Sequence, residues 1–177
     1  MTASTLAQLQ SGIRDVPDFP IPGVVFKDIT PMLADAALLR LSLDALQETM
    51  GEKKIDKVVA IDARGFIFAG AIAERLGVGL VPVRKKGKLP YTTKSVSYDL
   101  EYGSNTIEIH EDAIKPGERI WIIDDVLATG GTAAAAAQLI AACGGELLGM
   151  SFLIELSFLE GRKFLPEGVP AFGVLVY

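Results

Sequence analysis

Hydrophobic residues fall into two spacings along this chain, and each spacing predicts a different element. Short, mostly apolar runs at 57–61, 78–83, 120–123 and 147–154 have the length and the Val and Ile content of strands buried on both faces. A further run at 169–177 predicts a last strand, and 158–165 a short helix or turn. Elsewhere apolar residues recur every three or four positions. Leu39, Leu43, Leu46 and Met50 predict a helix over 36–50 that Gly51 can close, and a second helix is predicted over 65–76, closed by Gly77. An alanine-rich run predicts a third over 133–142. Leu6, Leu9 and Ile13 give a short amphipathic helix over 5–13, which Pro17 prevents from continuing.

Strand and helix thus alternate, and right-handed crossovers then give an α/β fold: a central parallel sheet flanked by helices. Two stretches break the alternation. Pro20, Pro22 and Gly23 make 18–23 a rigid, extended connection. Residues 91–109 alternate weakly about a turn at Tyr102-Gly103-Ser104-Asn105, a polar hairpin inserted between strand-helix units and therefore a candidate lid, spanning about 88–108.

The chemistry begins where the strand at 120–123 runs out. Asp124 and Asp125 follow it directly, then Val126, Leu127, Ala128, Thr129, Gly130, Gly131 and Thr132 lead into the predicted helix. In open α/β sheets ligands bind beyond the carboxyl ends of the strands. Glycines let the backbone approach a ligand closely, and a helix start adds unsatisfied N–H donors and the positive end of the macrodipole. The product is an anion cradle beside two carboxylates, suited to a sugar phosphate whose hydroxyls the acids accept. The Gly-Lys-Ser/Thr of a P-loop and the three-glycine dinucleotide fingerprint are both absent. The turn Asp62-Ala63-Arg64-Gly65 repeats the same geometry after another strand.

Composition narrows the partners. The 177 residues carry 17 basic and 22 acidic side chains, a net charge of −5, which argues against a nucleic-acid or membrane-surface footprint and leaves small molecules. Cys143 is the sole cysteine, so no intrachain disulfide forms. The uncharged stretch between Asp125 and Glu146 is interrupted by Thr129, Gly130, Gly131, Thr132 and Gln138 and is not a membrane span. A single cytoplasmic domain over 1–177 is the expectation, its first 34 or so residues forming a small hood over the sheet's carboxyl edge.

The stretch 120–132 resembles the phosphoribosyl-pyrophosphate (PRPP) motif of type I phosphoribosyltransferases. Four further stretches, 18–28, 63–66, 84–90 and 98–103, are similar in order to the adenine phosphoribosyltransferases. The resemblance implies transfer of a phosphoribosyl group from PRPP to adenine, giving AMP and pyrophosphate, with Mg²⁺ held mainly through PRPP and water, by a homodimer. It implies that Asp124, Asp125, Ala128, Thr129, Gly130, Gly131 and Thr132 hold ribose and 5′-phosphate. Val25, Phe26, Lys27 and Val126 would form the adenine pocket, with Lys27 standing where the family often has Arg and Val126 where Leu is common. Ala63, Arg64, Arg84 and Lys88 would hold pyrophosphate, and a non-proline cis peptide is expected at Ala63-Arg64. Glu101, Arg64 and Tyr102 would be catalytic, Glu101 transferring the proton and Tyr102 closing the site. A transferase for another purine base and a PRPP-sensing regulator without activity are the alternatives.

Overall fold

Backbone pairing and side-chain alternation build the larger part of the chain from its strands outward. The computed structural model describes residues 1–99 and 104–177, which divide into two units, Met1–Glu48 and Thr49–Tyr177.

In the second unit β3 (Lys57–Ile61), β4 (Gly79–Lys85), β7 (Arg119–Leu127), β8 (Glu146–Glu155) and β9 (Ala171–Val176) form a parallel sheet in the order β4-β3-β7-β8-β9. The predicted hairpin is present as β5 (Thr93–Asp99) and β6 (Ser104–His110), and it extends the sheet: β6 pairs antiparallel to β4 through Arg84↔Glu108 and Lys85↔Ile107. The result is a mixed seven-stranded sheet. Ser104 and Asn105 belong to strand β6 rather than to the turn, because Tyr98↔Asn105 and Asp99↔Ser104 continue the antiparallel register.

Helix α4 (Gly65–Leu76) packs on β3 and β7, and α5 (Gly131–Ala142) on β5, β6 and β8. Alternation along the strands supplies both helices. Val59, Ile61, Ile120 and Ile122 join the alanines of α5 in one apolar cluster, while Val58, Ala60 and Ile123 occupy the intervening buried positions. Trp121 is fully buried, donates from Nε1 to Ser151 Oγ at 2.8 Å and stacks on Phe172. Gly77, at φ 65°, ends α4 in the left-handed conformation expected of a C-terminal glycine. Two short 3₁₀ turns, Ser157–Leu159 and Gly161–Phe164, stand where a short helix or turn was expected.

The first unit holds α1 (Ala3–Ser11), the antiparallel pair β1 (Arg14–Pro17) and β2 (Val25–Asp28), α2 (Thr30–Ala34) and α3 (Ala36–Glu48). Thr2 caps α1 by accepting from Thr5 N, which starts the helix earlier than its apolar spacing suggests. Asp35 does the same for α3, accepting from the amides of Ala37 and Leu38 at 2.8 and 2.9 Å. Between β1 and β2 the chain forms a tight loop and not the extended connection predicted from its prolines: Asp18 has φ 55°, Phe19-Pro20 is cis, and Asp18 Oδ1 accepts from Gly23 N at 2.7 Å. The asparagine-like reach of an aspartate side chain to a backbone amide closes such loops.

Candidate active site

Adjacent parallel strands bring two turns to one end of the sheet. Val59 and Ala60 of β3 pair with Ile122 and Ile123 of β7, so the turn after β3 and the loop after β7 open side by side. Together they line a cavity of about 220 Å³ whose walls include Ala63, Arg64, Asp124, Asp125, Thr129 and Thr132. Val126, Ala128 and Gly130 line it as well. The apolar run predicts a strand that ends at Ile123, before the acids, but β7 continues through both of them to Leu127, held by the pairs Asp124↔Phe152 and Val126↔Ile154 with β8. The carboxylates are thus fixed by a sheet ladder.

Asp125 is buried, and its Oδ2 lies 2.7 Å from Arg64 Nε. Its backbone N–H donates to Asp124 Oδ1 at 2.9 Å. Burial raises the pKa of Asp124 well above the usual carboxylate range, and the neighbouring Asp125 charge adds to it. Burial raises Asp125 too, with the Arg64 cation opposing. Two adjacent acids in this state titrate as a pair. They leave acceptor oxygens facing the cavity.

Gly65 lets α4 start hard against this pair: a Cβ there would stand 2.6 Å from Asp124 Oδ1 and 3.1 Å from the Ile123 carbonyl. The cis peptide of this turn is Asp62-Ala63, one bond earlier than the expected Ala63-Arg64, and Arg64 holds helical dihedrals (φ −73°, ψ −27°) at the residue preceding α4. Arg84 reaches the same turn from the end of β4, donating from Nε to Asp62 Oδ2 at 3.2 Å and from Nη1 to the Lys88 carbonyl at 3.3 Å. Lys88 is exposed.

On the opposite wall Gly130, at φ 83°, caps α5, and Ala134 N donates back to its carbonyl at 2.9 Å. The first amides of α5 therefore point to the cavity end, where the helix dipole favours an anion. A Cβ on Gly130 would strike the Gly161 carbonyl, and one on Gly161 would strike the Ala128 carbonyl, so the 3₁₀ segment backs the loop directly. That segment is pinned by Arg162, whose Nη2 donates to Glu155 Oε2 at 2.6 Å, Nε to Glu155 Oε1 at 2.5 Å and Nη1 to the Ala171 carbonyl at 2.7 Å. Tyr98 OH and Thr132 Oγ1 are 2.8 Å apart.

Val25, Phe26 and Lys27 lie on β2 in the first unit. Val25 is exposed, Phe26 meets Phe19 edge to face with centroids 5.2 Å apart, and Lys27 Nζ pairs with its cross-strand partner Asp15 at 2.7 Å. Glu101 and Tyr102 lie outside the described residues. Asp62, Tyr98, Gly161 and Arg162 were not picked out from sequence. Asp62 stands at the predicted strand's carboxyl end and Tyr98 opens one of the stretches that carry the family resemblance, whereas Gly161 and Arg162 have no such signal.

Among the described residues no cluster of three or more His, Cys, Asp or Glu side chains could hold a metal ion. The Asp124–Asp125 pair nonetheless fits Mg²⁺, which takes one or two carboxylates and completes its shell with phosphate oxygens and water. Among the described residues no helix is long and apolar enough to cross a membrane.

Residues 31–160 match the model of the phosphoribosyl transferase domain. An adenine phosphoribosyltransferase from Acidothermus cellulolyticus is 58% identical over 157 residues, 89% of each chain. One from Chloroflexus aurantiacus is 51% identical over the full length of both. The crystal structure of adenine phosphoribosyltransferase from Rhodothermus marinus superposes with a TM-score of 0.95 at 56% identity, covering 99% of this chain and 100% of that one. That from Saccharomyces cerevisiae, complexed with an imino-altritol bisphosphate and adenine, gives 0.92 at 41% identity, covering 98% and 100%. With the acid pair, the helix start beside it and the fold all in agreement, the chain belongs to the phosphoribosyltransferases and, within them, to the adenine phosphoribosyltransferase family.

Proposed function

We propose that this protein is a purine-salvage enzyme that transfers the 5-phosphoribosyl group of PRPP to adenine, giving AMP and pyrophosphate, as a cytoplasmic homodimer. One observation carries the reading: the acid pair of β7, the Arg64 turn and the start of α5 converge on one cavity. Ala128, Thr129, Gly130, Gly131 and Thr132 cradle the 5′-phosphate, while Asp124 and Asp125 accept hydrogen bonds from the ribose hydroxyls. Ala63, Arg64, Arg84 and Lys88 serve the pyrophosphate, since a guanidinium offers several donors to phosphate oxygens. Adenine is taken by Val25, Phe26, Lys27 and Val126; the adenine in the yeast relative's crystal structure supports that base. Lys27 Nζ is engaged with Asp15, and the reading of the purine edge is assigned to the Lys27 backbone.

Holding both phosphate ends and the ribose leaves C1′ placed between base and leaving group. The purine nitrogen bonds to C1′ as the bond to the pyrophosphate oxygen breaks, and the leaving group keeps the electron pair. Carboxylates nearby counter the positive charge that builds on the ribose. Glu101 takes the ring proton and Tyr102 closes the site, excluding the water that would hydrolyse PRPP. Mg²⁺, held mainly through PRPP and water, would neutralise part of the substrate's charge, and Asp124 and Asp125 are the side chains that would meet it from the protein.

Purified protein supplied with PRPP, Mg²⁺ and equal amounts of adenine, hypoxanthine and guanine should form AMP almost exclusively. A 6-oxopurine nucleotide as the main product would overturn the base assignment, and PRPP binding without any nucleotide would point to a regulator. Glu101→Ala should lower turnover far more than PRPP affinity; equal losses would remove its catalytic role. The homodimer is supported by Ile67 and Leu80, large apolar side chains exposed on α4 and β4, and sedimentation of the purified protein tests it.

A further inference from the structure

Tyr98, the penultimate residue of β5, makes two contacts with the start of α5. Its hydroxyl lies 2.8 Å from Thr132 Oγ1, and its ring covers Gly131, where a Cβ would come within 2.9 Å of Cδ2. The ring is half-buried against the apolar cluster that α5 helps to form, and β5 itself packs on α5. We propose that Tyr98 is a positioning residue for the phosphate loop: its O–H donates to Thr132 Oγ1, which directs the Thr132 proton into the cavity and onto the 5′-phosphate. The proposal rests on the assignment of Ala128 to Thr132 as that loop.

A threonine hydroxyl has one proton to give and two lone pairs to accept with. A phosphate group lined up at the loop is chiefly an acceptor, so Thr132 must spend its proton there and can only accept from Tyr98. A phenol is more acidic than an aliphatic alcohol and is the better donor of the two, so the order Tyr98 to Thr132 to phosphate matches the donor strengths. Each bond in such a chain polarises the next. Gly131 serves the same end, because any side chain there would lift the ring and break the chain.

Tyr98→Phe keeps the ring on Gly131 and deletes only the hydroxyl. It should weaken ribose 5-phosphate binding, measured by calorimetry, and raise the KM for PRPP by about three- to tenfold, with the KM for adenine unchanged. The loss should persist in a Thr132→Ser background and vanish in Thr132→Val, where there is no hydroxyl to orient. Incorporation of 3-fluorotyrosine at position 98, a stronger donor that retains the ring, should tighten ribose 5-phosphate binding; weaker binding would mean that the bond runs the other way and would overturn the proposal. An unchanged affinity in Tyr98→Phe, an equal loss for both substrates, or a loss that survives in Thr132→Val would also overturn it. A wild type that makes AMP while these variants behave so sinks the Tyr98 role alone. A wild type that binds no ribose 5-phosphate overturns the phosphate loop and, with it, the role built on it.

Discussion

Arg64 Nε lies 2.7 Å from Asp125 Oδ2, which ties the turn after β3 to the acid pair of β7. The cation opposes the upward push that burial exerts on Asp125. Replacing it with Arg64→Gln removes that opposition, so Asp125 should hold its proton to higher pH. A protonated acid loses acceptor capacity toward the ribose hydroxyls. The acid limb of ribose 5-phosphate binding, followed by calorimetry between about pH 5 and 8, should therefore move to higher pH in the variant. A limb that stays in place would separate Arg64 from the titration of the pair.

Asp124 has the opposite consequence for stability. Its folded-state pKa is raised by burial and by Asp125, so the native state keeps the proton to higher pH than the unfolded chain does. Stability is then lost as pH rises from the ordinary aspartate range through the raised folded value, and at neutral pH the ionised pair is a net cost. Asp124→Asn keeps an oxygen able to accept from the Asp125 amide and removes the charge. A gain of about 1 kcal/mol, or about 2–4 °C in Tm, is expected at pH 7, shrinking toward pH 4, together with a large loss of activity. Scanning calorimetry at the two pH values checks the sign.

Gly65→Ala tests how tightly the two turns are fitted. The new Cβ would meet Asp124 Oδ1 at 2.6 Å and the Ile123 carbonyl at 3.1 Å, and the carbonyl belongs to a sheet ladder that does not yield easily. A stability loss of about 1–3 kcal/mol is expected. Because the carboxylate is the closest atom, the loss should be smaller in an Asp124→Ala background. Chemical denaturation of the two single variants and the double variant measures that coupling.

Local signals made much of this architecture legible. β3 and α4 occupy the predicted residues, because a Val/Ile run, a turn and a closing glycine are all short-range features. The acid pair and the glycine loop were readable for the same reason. What sequence did not disclose depends on partners distant in the chain. β7 runs through its acids because β8 pairs with it there, and the ends of the hairpin continue the sheet because β6 finds β4. Tyr98 meets Thr132 from 34 positions away, and a serviceable alternating strand gives no hint of it. Gly161 falls within the predicted short helix or turn over 158–165, which gives no sign that its missing side chain is what lets the loop at Ala128 to Gly130 lie against that connection.

Arg162 carries the last prediction, since it holds that connection in place. Glu155 is buried, and its two oxygens receive Arg162 Nε and Nη2. Arg162→Met leaves Glu155 without its cation, but the Arg162 side chain is 50% exposed, so water can reach the site and soften the loss. A destabilisation of about 2 kcal/mol, or about 4–8 °C in Tm, follows. The same change frees Gly161 from behind the loop, and ribose 5-phosphate binding should weaken about tenfold, the scale of a misplaced contact rather than of a missing one. Pairing it with Glu155→Gln removes the stranded charge and should recover most of the Tm. Affinity should stay low in the double variant, because the brace is still gone. Thermal shift with and without ribose 5-phosphate reads both quantities, and recovery of the two together would show that the segment contributes to folding only.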